Sequence, residues 1–283
     1  MKLNLNPLDF LFFYRILNWK HKVSSIRPMG YTFFGYLMAA KFEIAPLAAN
    51  TIAVLGALLF WFSINDFAAL KTGEENFMAA QIKQNKLTRQ KALLLCLLPL
   101  IFCSYVIFTG SRTAIFIFFF SLVFNLLYST GPTALKNLRY FGIVAAIIAA
   151  PLLFLEAETV LGKFTLQMFF MAIIVALFHL YMELLHIIED FQAGEEVGKI
   201  KSQASAVKIL KITPLATLTV SLVFALFYPI FLITAFFSAV RILSLKGFKQ
   251  EQIQKTRRDL LSPRLSLYEF ALYALFALIL RSG

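Results

Sequence analysis

The 283-residue chain is 60% hydrophobic with a mean hydropathy of +0.76 and contains 32 phenylalanines. That composition excludes a soluble globular domain and points to an all-α polytopic membrane protein, because about 20 apolar residues cross a bilayer as a helix. The net charge of +12 does not imply nucleic acid, since the basic residues fall in separate connections between apolar runs.

The first twenty-odd residues scatter Lys, Arg and Asp among aromatics and read as an interfacial amphipathic segment, not a cleavable signal. Apolar spans then run over roughly 28–42, 46–64, 92–109, 114–128, 140–155, 166–188, 213–227, 229–243 and 266–280. Cys96 and Cys103 share the third of these, too far apart along it for a disulfide and without the clustering of a zinc site, and read as packing residues. The Phe-rich run AIFIFFFSLVFNLLY in the fourth reads as lipid-facing and core packing. Lys and Arg concentrate in the N-terminal segment and in 71–91, 136–139, 199–211 and 241–264, whereas the alternate connections hold only Lys41, Arg112 and Lys163. The positive-inside rule therefore places the N-terminus and the four basic connections in the cytoplasm. The expectation is nine transmembrane helices in one bundle, with the C-terminus outside. Between Ile212 and Arg241 the apolar stretch is long for one helix and short for two. Because both flanks are basic, the chain must go out and return, with a break at Tyr228-Pro229 and two short, tilted or half-inserted helices.

Two polar stretches close long apolar runs: NDFAALKTGEENF from Asn65 and HIIEDFQAGEEVG from His186. In each, Gly follows the first residue by eight positions, at Gly73 and Gly194, and two glutamates come next, Glu74-Glu75 and Glu195-Glu196. An internal duplication explains the repeat; the alternative is chance similarity between two solvated charge runs. His179, Glu183, His186 and Asp190 form one continuous stripe on the sixth span. A Glu inside a span costs roughly 2.5–3.5 kcal/mol on insertion scales, so Glu183 faces a polar cavity or a partner. The stripe reads as a satisfied hydrogen-bond network involving Glu183 and His179 or His186, as part of a substrate or metal site, or as an ion or proton path.

The arrangement resembles the UbiA-type intramembrane prenyltransferases, whose two cytoplasmic Asp-rich motifs end the second and sixth of nine helices. The resemblance covers nearly the whole chain as a single domain, 1–283, with motif-bearing halves of about 1–135 and 136–283. Asn65, Asp66, Asn76 and Ile82 stand in ungapped register with the first motif. The segment YSTGPTALK matches the end of helix four through Tyr128, Ser129, Pro132 and Lys136. Asp190 and Gly198-Lys199 fit the second motif, and Arg27-Pro28 resembles the start of helix one. The departures fall on acids. Ala69 and Gly73 replace the two later aspartates of motif one and Ala80 its Arg, while His186, Ile187 and Gly194 replace the usual Asn, Asp and final Asp of motif two.

In an active member, carboxylates at i, i+4 and i+8 share a helix face and hold Mg²⁺ against an isoprenyl diphosphate. Metal and cationic side chains stabilise the leaving diphosphate while the allylic carbon becomes cationic. The resemblance thus implies catalytic roles for Asn65, Asp66 and Asp190, and substrate contacts from Arg27, Asn76, Tyr128, Lys136, Arg139, His186 and Lys199. It implies Mg²⁺ on Asp66 and Asp190, with Glu74, Glu195 and His186 as further candidates; His186 would also permit Mn²⁺ or Zn²⁺.

The function so implied is a divergent prenyltransferase in the lipid bilayer of the bacterial inner membrane. It would move an isoprenyl group from a polyprenyl diphosphate to a lipophilic acceptor at a cytoplasm-facing site, with no nucleic acid partner. The alternative is a non-catalytic isoprenoid- or quinone-binding protein or scaffold, favoured by the missing acids of motif one. A small-ion or proton transporter using the stripe is a third reading, without the inverted repeats and broken midplane helices of that class. Reporter fusions test the topology: a C-terminal fusion should read external. A cytoplasmic signal would refute the charge-parity argument and favour one span between Ile212 and Arg241.

Overall fold

A computed structural model of the chain describes residues 5–17, 29–38, 43–71, 73, 75–103, 111–129, 134–135, 138, 141–161, 164–192, 200, 202–246 and 263–282. Among them the chain is helix joined by short connections, with no sheet. The helices are α1 (Pro7–Phe13), α2 (Met29–Met38), α3 (Ile44–Ala69), α4 (Phe77–Lys83), α5 (Arg89–Leu97), α6 (Arg112–Ser129), α7 (Phe141–Leu161), α8 (Leu166–Gln192), α9 (Gln203–Ala225), α10 (Leu232–Leu245) and α11 (Pro263–Ser282).

A helical segment stands at each place where an apolar span is expected. Three are long and apolar enough to cross a membrane: α3, the Leu166–Glu189 part of α8, and α9. Shorter apolar helices lie at Arg112–Tyr128, Gly142–Ala157 and Pro229–Leu245. The exposed side of α6 is Phe116, Phe119, Phe120, Val123 and Leu127, a surface that water would not tolerate and lipid does. The protein is an integral membrane protein.

The pair of helices between Ile212 and Arg241 differs in length from the expectation. The first is not short: α9 has 23 residues and begins at Gln203, where the Ser202 side chain caps it by accepting from the Ser205 N–H. Lys208 and Lys211 therefore ride exposed on its first turns instead of lying in a loop. Pro214 sits inside the helix without breaking it. The reversal falls at Tyr228-Pro229, where Tyr228 is extended (φ −141) and Pro229–Phe231 form a 3₁₀ turn, and α10 then packs back along α9. The missing proline N–H and its fixed φ make the corner.

The helix α7 is the hub, packed by α2, α3, α6 and α8, and the succession α8, α9, α10, α11 returns to α2 to close a ring. One glycine makes the tightest approach: a Cβ on Gly35 of α2 would lie 2.2 Å from the Phe154 carbonyl oxygen of α7. Around that contact Phe34 meets Phe154, Phe270 and Tyr273 at ring-centroid distances of 5.4, 4.8 and 5.4 Å, so rings from α7 and α11 fill the space the glycine opens. Gly35→Ala should destabilise the bundle by about 1–3 kcal/mol through overpacking. Gly30→Ala on the same helix meets nothing within 4 Å and should be neutral or gain about 0.5–1 kcal/mol. Thermal unfolding in detergent reads both, and equal shifts would contradict the close-approach account.

Candidate functional site

The site is built on the last turn of α3. Asp66 is only 4% exposed there, with Asn65 half-buried beside it. The helix stops at Ala69, and Gly73 follows in the left-handed region (φ 76). Positions 66, 69 and 73 therefore do not continue as one helical stripe: an acid at 73 would sit on a turn, beyond the helix end. The chain re-enters helix at α4, whose N-cap is Asn76. Its Oδ1 accepts from the Ala79 N–H at 2.8 Å and its Nδ2 donates to the Asp66 carbonyl at 3.0 Å. Both ends of the Asn76 amide are thus spent on geometry, tying the start of α4 to the carbonyl of the acid that precedes it.

Asp66 is met from the N-terminal segment. A capping box starts α1: Asn6 Oδ1 accepts from the Asp9 N–H and Asp9 Oδ2 from the Asn6 N–H, both at 2.9 Å, with Pro7 in the first turn. Phe13 is buried, and the Phe12 ring lies 5.7 Å from that of Phe77 on α4. Tyr14 donates its hydroxyl to the Leu95 carbonyl at 2.8 Å. Burial pushes its phenol up to about 12, so it stays a neutral donor at physiological pH. Arg15 then takes a left-handed conformation (φ 52), its N–H donating to the Phe12 carbonyl at 3.0 Å. From there its guanidinium forks onto the carboxylate: Nε donates to Asp66 Oδ2 at 2.9 Å and Nη2 to Oδ1. The Arg15 side chain is 37% exposed and that of Asp66 5%, so the cation faces outward and the acid lies behind it.

Of the other expected site residues, Tyr128 lies half-buried at the end of α6 and His186 exposed on α8. Asp190 is on the last turns of α8, and its side chain lies outside the description. Arg27, Glu74, Lys136, Arg139, Glu195 and Lys199 lie outside the described residues. What the structure gathers at one point is Asn65, Asp66, Asn76 and Arg15; α3, α6 and α8, which carry the rest, all pack on α7. In the stripe on α8, His179 Nδ1 lies 3.0 Å from the Tyr31 hydroxyl of α2.

Among the described residues, those around Asp66 do not make up a divalent-cation site. Both carboxylate oxygens carry the Arg15 fork, Ala69 and Gly73 offer no side-chain oxygen, and no group of three or more His, Cys, Asp or Glu converges among the described residues.

Several polar residues with partners on other helices escaped the sequence reading. Arg15 carried a signal only in the capping box before it, and nothing pointed to a partner 51 positions away. Arg241 was counted with the basic connection 241–264, but it is a buried member of α10 paired with Glu269 of α11. Glu269 Oε1 also accepts from Thr234 at 2.9 Å, and the guanidinium lies 5.3 Å from the Phe178 ring. A partner and an aromatic face let the charge stay inside. Glu156 of α7 accepts from Asn50 of α3 at 3.2 Å.

No family model and no curated protein sequence matches the chain. Its three-dimensional likeness to solved structures extends over nearly its full length. A digeranylgeranylglyceryl phosphate synthase superposes with a TM-score of 0.71 at 17% identity, covering 94% of this chain and 98% of that one. The chain has the UbiA fold. The UbiA homologue of Archaeoglobus fulgidus, in a structure bound to GPP and Mg²⁺, gives a TM-score of 0.71 at 13% identity, covering 97% of this chain and 100% of that one. A structure of the Archaeoglobus homologue bound to DMAPP and Mg²⁺ gives the same score. The apo homologue of Aeropyrum pernix K1 gives 0.59 at 14% identity, over 99% and 98%.

Proposed function

We propose that the chain is a membrane-embedded prenyltransferase of divergent site, transferring an isoprenyl group from an isoprenyl diphosphate to a lipophilic acceptor. The observation that carries the reading is the fold likeness, over nearly the whole chain, to a protein solved with GPP and with DMAPP, combined with a charged cluster at the end of α3. In the reaction the bond between the allylic carbon and the diphosphate oxygen breaks, and its electron pair leaves on oxygen. The acceptor nucleophile then bonds to the allylic carbon and loses a proton.

The chain's own task is to hold and neutralise the diphosphate and to keep water from the allylic cation. Lys136, Arg139, Arg27 and Lys199 are the proposed phosphate contacts, because cationic side chains bind phosphate oxygens directly. Asn65 and Asp66 fix the end of α3 against which the head group lies, Asn76 fixes Asp66, and Tyr128 and His186 border the same site. The apolar interior of the bundle accepts the isoprenyl tail. Nine spans, a cytoplasmic N-terminus and site, placement in a bacterial inner membrane, and two related halves within one domain belong to this reading.

A bound divalent cation would supply further charge neutralisation at the diphosphate. Here its ligands would have to be Asp190 with Glu74, Glu195 or His186, since Asp66 is already paired, so any metal requirement should be weaker than that of an Asp-rich relative.

One observation favours a second reading, a non-catalytic isoprenoid- or quinone-binding protein: Arg15 occupies both oxygens of Asp66. Diphosphate release decides between them. Geranyl, farnesyl and longer isoprenyl diphosphates, offered in liposomes with membrane-extract acceptors, should be turned over, and Lys136→Ala should abolish release. Binding without turnover under every metal condition would leave the second reading.

A further inference from the structure

We propose that Glu156 is a proton-binding site: it stands in the folded protein as a neutral carboxylic acid, and with the Asn50 amide it forms a proton-held clasp between α3 and α7. The inference is independent of the isoprenyl diphosphate reading, because Asn50 lies toward the start of α3 and Asp66 at its end.

Hydrogen bonding is the first argument. Glu156 and Asn50 are 1% and 2% exposed, and a single contact joins them, Asn50 Nδ2 donating to Glu156 Oε2 at 3.2 Å. The other oxygen of each side chain, Glu156 Oε1 and Asn50 Oδ1, is buried without a partner. Both are acceptors when the acid is ionised, so neither can satisfy the other. Each shares a carbon with an atom of the existing contact, and a proton on Oε1 supplies the missing donor. Acid and amide then each offer the other a donor and an acceptor, the complement that a ring of two hydrogen bonds needs.

Charge is the second argument. A carboxylate withdrawn from water requires a cation, as Asp66 has in Arg15. Glu156 has none among the described residues: the one hydrogen bond of its side chain comes from an amide, and Leu153, Phe154 and Ala157 beside it on α7 are buried and apolar. One turn on, the Thr159 hydroxyl is spent on the Leu155 and Glu156 carbonyls, at 2.8 and 3.0 Å. The helices packed on α7 bring no counter-charge to that end. The hydroxyls of Tyr31 and Tyr36 on α2 are on His179 and on the Glu43 carbonyl. Glu43 before α3 and Arg112 at the start of α6 are exposed, and α8 carries no titratable residue from Leu166 to Phe178. Lys41 and Lys163 lie outside the described residues. A bound proton removes the charge where it stands.

Glu156→Gln is the isosteric test, because its amide N–H takes the place of the proton and keeps both hydrogen bonds. Infrared difference spectra of the full-length protein in nanodiscs at neutral pH, wild type against Glu156→Gln, should show the C=O band of a protonated carboxyl group that the variant loses. Asn50→Leu should move that band to higher frequency, because the carboxyl carbonyl loses its hydrogen bond. It should also lower the melting temperature by at least about 3 °C, whereas Glu156→Gln should melt within about 2 °C of wild type. Loss of an ionised carboxylate band in place of the protonated one overturns the proposal, and so does a band that Asn50→Leu leaves unmoved. A Glu156→Gln protein destabilised as much as Asn50→Leu overturns it as well. A melting temperature that rises with sodium or potassium concentration in wild type but not in Glu156→Gln would make the ligand a metal cation, and it too overturns the proposal.

Discussion

A carboxylate almost wholly withdrawn from solvent at the end of a long apolar helix must be neutralised, and the polar end of this bundle is organised around how Asp66 meets that requirement. Leaving such a charge unpaired costs about 3–5 kcal/mol, whereas holding one residue in the left-handed region costs roughly 1–2 kcal/mol. The pairing outweighs the strain, which is why Arg15 tolerates its backbone (φ 52). The same pair fixes the N-terminal segment over α4 and α5, since Phe12 and Tyr14 reach those helices from the turn that delivers the guanidinium. An interfacial helix, a buried acid and a cap on the next helix become one unit.

Within the bundle the same rule operates on a smaller scale. Lipid offers no hydrogen-bond partners, and a number of polar side chains in the spans find them inside the protein. Ser63 returns its proton to the Leu59 carbonyl, Thr217 to Thr213 and Ser221 to Thr217. Arg241 pairs with Glu269, Asn50 with Glu156 and Tyr31 with His179, each joining two different helices. These cross-links do what apolar packing between helices in lipid does weakly, which is to specify which helix faces which. The Gly35 contact brings α2 close to α7, and the stacked Phe170 and Phe224 rings, 4.0 Å apart, join α8 to α9.

Much of this was legible in the sequence because it depends on local chemistry. The apolar runs, the break at Tyr228-Pro229 and the acid at the end of the second span are each written within a few residues. The start of α9 was misjudged because Lys208 and Lys211 look like loop residues by composition, while Ser202 and the exposed face of the helix accommodate them. The pairs were illegible for a different reason. Arg15 lies 51 positions from Asp66 and Arg241 lies 28 from Glu269, and no spacing rule links residues that only the packing of separate helices brings together. Reading acids by their register suggests a thinned metal cage at motif one; that register carries no sign of the contact between Asp66 and Arg15.

The most direct measurement of the central claim is an experimental structure of the full-length protein with a non-reactive isoprenyl thiodiphosphate, determined in the presence of Mg²⁺. The account predicts that Arg15 stays on Asp66, with no metal ion on that carboxylate. A structure in which Arg15 has left and Asp66 coordinates Mg²⁺ against the diphosphate would contradict it.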